Sequence, residues 1–281
     1  MKNKALFFTL LCAGSVASAQ DYVANITYCE VNGLELQMDM ATNDAFAPPR
    51  PTVIFIHRGG WFDGTKELYT NEVKLFANAG YTAFTISYRL TSLPTEFDDP
   101  YAVGAVYPDA PNDVICAVNH VLTNADLYGV DPSRLALFGE SAGAHLALLT
   151  AYRDTRIAAV VAWSGPTHLS KLFQTSIEAD KVERFMGGTP AEVGTPLYKE
   201  ASPITYVGAG SQPTLVIQGT ADTTVPVEQA RLLQQALAPF SQSSRFIYIQ
   251  GAEHGIPGFR AQATQRSIDY LDALLALQEV H

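Results

Sequence analysis

Gly139-Glu140-Ser141-Ala142-Gly143 sets a serine between two glycines, directly after the apolar run Leu135-Ala136-Leu137-Phe138 and ahead of a helical pattern from Ala142 to Tyr152. A sharp strand-to-helix turn of this kind lifts a hydroxyl above a sheet, and only glycine fits where the backbone must pass close to its neighbours. The N–H of the next residue, Ala142, then lies at a helix N-terminus, where it can bind a developing oxyanion. Serine is a weak nucleophile until a base takes its proton. Of the six histidines, only His57 and His254 plainly follow buried strands. His145 falls one turn into the helix after Ser141 and is expected to be a satisfied buried histidine. His120 falls within a helix, and His281 is terminal. His254, in Gly251-Ala252-Glu253-His254-Gly255, is therefore the expected general base. Asp222 directly follows the strand Thr214 to Ile217 and is the expected carboxylate that orients it. Ser141, Asp222, His254 is also the chain order that strand-end triads of this kind adopt.

A second glycine-rich stretch, His57-Arg58-Gly59-Gly60-Trp61, follows the strand Thr52 to Ile56. Gly59 and Gly60 are expected to supply oxyanion N–H groups together with Ala142, with the Trp61 N–H as a further candidate. His57 reads as a loop-fixing residue. Glu140 reads as buried and hydrogen-bonded, and Arg89 as an ion-pair anchor.

These residues need a scaffold that gathers strand ends. Thr52–Ile56, Thr82–Ile86, Leu135–Phe138, Ala158–Ala162 and Thr214–Ile217 are continuous apolar runs, as strands covered on both faces require. Helical patterns separate them, at Lys66–Ala79, Asp113–Asn124, Ala142–Tyr152, Val227–Leu237 and Gln262–Leu277. The alternation predicts an α/β fold, a mostly parallel central sheet flanked by helices. An opening hairpin turns at Asn32-Gly33 and adds antiparallel strands. Ligands in such sheets bind beyond the carboxyl ends of the strands, where the candidates fall.

The 281 residues, 47% hydrophobic, fit a single domain over 20–281. Lys2 and Lys4, the apolar run Ala5 to Ala13 and the small residues Ala17-Ser18-Ala19 read as a signal peptide over residues 1–19. The expected product is secreted or periplasmic and carries no membrane anchor. The net charge of −10 becomes 16 − 28 = −12 without the two lysines of that segment. So acidic a surface disfavours nucleic acid as a partner. No Cys/His cluster has metal-ligand spacing. Cys29 and Cys116 either pair in an oxidising compartment or remain separate thiols.

With these motifs in hand, the chain resembles the esterase/lipase branch of the α/β-hydrolase fold, related to bimodular deacetylase–feruloyl esterases and hormone-sensitive-lipase-like carboxylesterases. The similar stretches are His57 to Trp61, Tyr88-Arg89-Leu90, Val130-Asp131-Pro132-Ser133-Arg134 leading into Phe138 to Ala147, Ala201-Ser202-Pro203-Ile204, and Gln218 to Pro226. The resemblance implies carboxylic-ester hydrolysis through an acyl-enzyme, with no cofactor. It also points to small-molecule or polysaccharide-linked esters, acetyl or feruloyl. The family usually has glycine where this chain has Arg58. Arg58 is thus either a substrate-binding residue at the rim or a solvated arginine paired with a carboxylate.

Two insertions should wall the pocket. One is Thr91 to Asn112, and the other is a small cap-like insertion over 165–210. Their aromatics, with Trp61 and Phe62, either hold an aromatic acyl group or pack beneath loops. A serine peptidase of the same fold would often carry a large extra domain, which 281 residues leave little room for. A catalytically silent binding protein on this fold would tend to have lost a triad member.

Overall fold

A computed structural model describes residues 20–275. The expected signal segment lies outside the described residues, as does His281. Strand β1 (Gln20–Val31) turns at Asn32-Gly33 into β2 (Leu34–Asn43), and β3 (Arg50–Ile56) follows. A 3-10 turn at Lys66–Tyr69 leads into α1 (Thr70–Asn78) and then β4 (Thr82–Ile86). Next come α2 (Asp109–Thr123), α3 (Ala125–Tyr128), β5 (Val130–Glu140), α4 (Ala142–Ala151) and β6 (Ala159–Trp163). The insertion carries α5 (Leu169–Thr175), α6 (Ala179–Met186), α7 (Pro190–Val193) and α8 (Thr195–Glu200). The chain closes with β7 (Thr214–Gly219), α9 (Glu228–Leu237), β8 (Arg245–Ile249) and α10 (Arg260–Leu275).

Among the described residues, eight strands form one sheet in the order β1-β2-β4-β3-β5-β6-β7-β8. β1 pairs with β2, and β2 with β4, antiparallel; β4 through β8 run parallel. The apolar runs mark the parallel part because side chains alternate between two covered faces. Ile54 and Ile56 join one core with Leu137, Val114 of α2 and Leu146 of α4. Val53 and Phe55 join a second core with Phe138, Phe76 of α1 and Leu271 of α10.

Among the boundaries that differ from the sequence expectation are the starts of α2 and β5. α2 begins at Asp109 rather than Asp113, and Pro111 sits in its first turn, where the missing N–H is no loss. β5 begins at Val130 rather than Leu135, because Val130 pairs with Arg50 before a break in register. An Asp131 carboxylate fills that break, accepting from Ser133 N–H and from Arg134 Nε.

Candidate active site

Ser141 stands at φ 54° and ψ −121°, between the end of β5 and the start of α4. Left-handed φ is costly for a residue with a Cβ, so the surroundings must impose it. They do. A Cβ at Gly139 would lie 2.2 Å from the backbone of Gly143, and one at Gly143 would lie 2.0 Å from the Ile56 carbonyl oxygen. The elbow is this tight because α4 starts directly on top of β3 and β5. Its N–H donates to the Trp163 carbonyl at 2.8 Å, which fixes the turn against β6.

His254 Nε2 lies 2.9 Å from Ser141 Oγ, and His254 Nδ1 lies 2.8 Å from Asp222 Oδ2. With the proton on Nδ1, the imidazole donates to Asp222 and accepts from the serine hydroxyl. Asp222 has its side chain fully buried, while that of His254 remains 28% exposed. Asp222 also accepts from Gln218 Nε2 at 3.0 Å and from the Val225 N–H at 2.8 Å. These donors fix the orientation of the carboxylate. Gln218 is a positioning residue that pattern reading missed. It lies inside an apolar strand run, and a buried amide there needed a reason.

The histidine loop is clamped from below. Glu140, wholly buried, accepts from Tyr69 Oη at 2.8 Å and from Arg260 Nη1 at 2.9 Å. Arg260 also reaches the Gly255 carbonyl at 3.5 Å, one residue past His254. The residue before the nucleophile and the residue after the base therefore share one guanidinium. Arg89 forms the expected anchor, donating to both oxygens of buried Asp113 in α2. A further buried pair, Lys66 with Asp39 at 3.0 Å, gave no signal in the sequence.

The His57–Trp61 loop folds over Ser141. Gly59, at φ 128°, has no room for a Cβ, which would meet the Asp63 carbonyl oxygen at 1.9 Å. Its own carbonyl accepts from the N–H groups of Phe62 and Asp63. Among the described residues, no backbone hydrogen bond outside helices and strands uses the N–H of Gly59, Gly60, Trp61 or Ala142. That leaves them as the candidates to meet an incoming oxyanion. His57 is buried, stacks on Tyr88 and donates from Nδ1 to the Arg58 carbonyl at 2.8 Å. Burial pulls its pKa down to about 4, so it is neutral. His145 is likewise held down to about 4 by burial. It accepts from Trp61 Nε1 at 3.2 Å and donates to the Ala201 carbonyl at 2.8 Å.

Arg58 is half-exposed, with Nη1 3.9 Å from Glu140. It has a carboxylate partner and also borders the cavity at Ser141. That cavity is about 370 Å³ and is bordered by His254, Gly59, Gly60, Arg58, Asp63 and Lys181, among others. Burial raises the Asp63 pKa, while Lys181 and Arg58 oppose the rise. A second space touches Ser141 on the side of Trp61, Leu172, Val182 and Val225, and holds only about 20 Å³. A larger hollow of about 590 Å³, lined by His168, Thr195 and Lys199, shares no residue with the triad.

The aromatic side chains are spent on packing. The Trp61 ring stacks on Phe185 with centroids 4.6 Å apart, and Phe185 meets Tyr107 edge-on. Tyr198 packs on Phe173. One face of Trp61 is thus occupied by Phe185 of α6, while Trp61 also walls the narrow space at Ser141. Among the described residues, no cluster of His, Cys, Asp and Glu could hold a metal ion, and no helix is long and apolar enough to cross a membrane.

A mixed sheet with a Ser-His-Asp array at its strand ends is the α/β-hydrolase fold. The BD-FAE family model matches residues 38–237, and the chain belongs to that family. Esterase LipC of Mycobacterium tuberculosis is 29% identical over 259 residues, which is 83% of this chain and 59% of LipC. The chain thus spans little over half the length of that relative. A truncated carbohydrate esterase from gut microbiota has a TM-score of 0.78 at 22% identity, over 90% of this chain and 96% of its own. Thermogutta terrifontis esterase 2, phosphonylated by sarin, has a TM-score of 0.76 at 23% identity, over 90% and 95%.

Proposed function

We propose that this chain is a secreted serine carboxylic-ester hydrolase that removes short acyl groups, acetyl above all, from hydroxyl-rich alcohols. One observation carries the reading: the unbroken hydrogen-bond chain from Ser141 through His254 to Asp222, at 2.9 and 2.8 Å. As Ser141 Oγ attacks the ester carbonyl, its proton passes to His254 Nε2. The N–H groups of Gly59, Gly60 and Ala142 receive the oxyanion, and Asp222 stabilises the imidazolium. The C–O bond to the alcohol then breaks, and His254 returns the proton to the leaving oxygen. Water, deprotonated by the same imidazole, releases the acid and restores Ser141.

The leaving oxygen must meet His254 Nε2, so the alcohol belongs in the cavity that His254 borders. That cavity has as many cations as carboxylates, Arg58 and Lys181 against Asp63 and Glu178. Balanced donors and acceptors suit a neutral, hydroxylated alcohol such as a sugar better than an anionic one. Arg58 then serves as a hydrogen-bond donor at the rim. The acyl group goes to the other side, where the space is narrow, about 20 Å³, and suits a short chain. That space suits acetyl and not feruloyl, and the names of the relatives point to ester substrates as well.

Secretion is supported by the order of residues in 1–19 and by a Cys29–Cys116 disulfide, which forms in oxidising compartments. The test is a panel of p-nitrophenyl acetate, acetylxylan, methyl ferulate and an acetyl anilide. Turnover of the acetate esters well above the ferulate supports the reading. Preference for the ferulate would replace the acyl assignment, and preference for the anilide would point to a peptidase.

A further inference from the structure

We propose that Lys181 is the residue that fixes acyl-chain length, its stem acting as the partition between the alcohol side and the acyl side of Ser141. The proposal rests on the hydrolase reading above.

Lys181 lies in α6 and borders both spaces at the nucleophile, as do Gly60, Ser141 and Glu178. Its stem rests on the oxyanion loop itself. A Cβ at Gly60 would lie 2.4 Å from Lys181 Cδ, so Gly60, at φ 63°, is glycine in part to let this side chain pass. Nζ is held outward by Glu178 at 3.2 Å. An aliphatic stem covering apolar surface with its charge turned to water is how lysine packs at such a boundary.

The apolar walls on the acyl side have little freedom. Trp61, Leu172, Val182 and Val225 are all buried. The segment carrying Lys181 is also tied to the loop after Asp222, through Ser176 Oγ donating to the Thr224 carbonyl at 2.6 Å. The side chain of Lys181 is 28% exposed and ends in a surface ion pair. Its stem is a wall, resting on the oxyanion loop, whose removal joins a narrow crevice to the open cavity without hollowing the core. The acyl limit is therefore set by one partly exposed side chain from the insertion rather than by the packed interior.

The experiment compares kcat/KM for p-nitrophenyl acetate, butyrate and hexanoate in the wild type, Lys181→Ala and Lys181→Met. Wild type and Lys181→Met, which keeps most of the stem, should prefer acetate. Lys181→Ala should raise the butyrate-to-acetate ratio about tenfold, the scale of burying two further methylenes. An unchanged ratio in Lys181→Ala would overturn the proposal. So would an equal shift in both variants, which would assign the effect to the charge. Absence of turnover of every ester by folded wild type would overturn the hydrolase reading itself, and the proposal with it.

Discussion

Ser141, His254 and Asp222 come from three strand ends far apart in the chain, and each is held by contacts that do not depend on the other two. The elbow glycines impose the serine backbone, Gln218 and the Val225 N–H hold the carboxylate, and Arg260 supports the loop after the histidine. Side-chain replacements in the triad should therefore act on chemistry and leave the fold intact. Ser141→Ala is expected to lower p-nitrophenyl acetate turnover at least ~10³-fold, and His254→Ala about as much. Asp222→Asn should cost somewhat less, because the base remains but its tautomer is no longer fixed. Steady-state rates on variants with wild-type circular dichroism check this. Loss of catalysis in His145→Ala with retention in His254→Ala would require the array to be redrawn.

At the scale of elements, the buried histidines act as rivets. His145 joins α4 to Trp61 and to the end of the insertion at Ala201, and His57 fixes the turn after β3. Burial lowers both pKa values to about 4, against an ordinary 6.5. The unfolded chain then binds more protons between those values, so this stability is complete above pH 6.5 and is lost as pH falls toward 4. Each histidine contributes about 1.4 kcal/mol per pH unit across that window. Urea unfolding at pH 7.5 and 5.0 should differ by several kcal/mol, with about 4 from this pair. A flat profile would mean that the rings are not buried neutral. His145 also illustrates what sequence could convey. Its place one turn into α4 already marked it as a packed residue, and strand-end position separated His254 and Asp222 from the other candidates. Parallel strands were legible because burial on both faces leaves continuous apolar runs. The start of β5 was not, since Asp131 to Arg134 are held by a turn and an ion pair rather than by apolar pattern. Nor were Lys181 and Gln218 legible as site residues. The first acts from an insertion whose docking no local pattern specifies, and the second is a polar residue inside a strand.

Across the whole molecule, the disulfide between Cys29 of β1 and Cys116 of α2 ties the antiparallel edge of the sheet to the helix that anchors Arg89. The two cysteines are separated by 87 positions, with Cα atoms 6.1 Å apart. Closing a loop of that length removes on the order of 4 kcal/mol of chain entropy from the unfolded state. Cys116→Ala should lower the denaturation midpoint accordingly and leave the slope of ester turnover with substrate concentration nearly unchanged, since neither cysteine borders the cavity at Ser141. Equal stability of the variant and the oxidised wild type would show that the two cysteines are not paired in the protein. The insertion, by contrast, works through docking. Phe185 on Trp61 and Ser176 on Thr224 hold it over the strand ends, so the same segment both covers the core and shapes the acyl side.

The most direct measurement of the central claim is the position and stoichiometry of a covalent adduct formed with a fluorophosphonate. An activated serine oxygen displaces fluoride from phosphorus, whereas an idle hydroxyl does not. Peptide mass spectrometry after treatment should find one phosphonyl group per chain, on Ser141, at least ~10³-fold slower to form in His254→Ala, as for loss of a triad member. An unlabelled, folded wild type, or an adduct on a residue other than Ser141, would contradict the account.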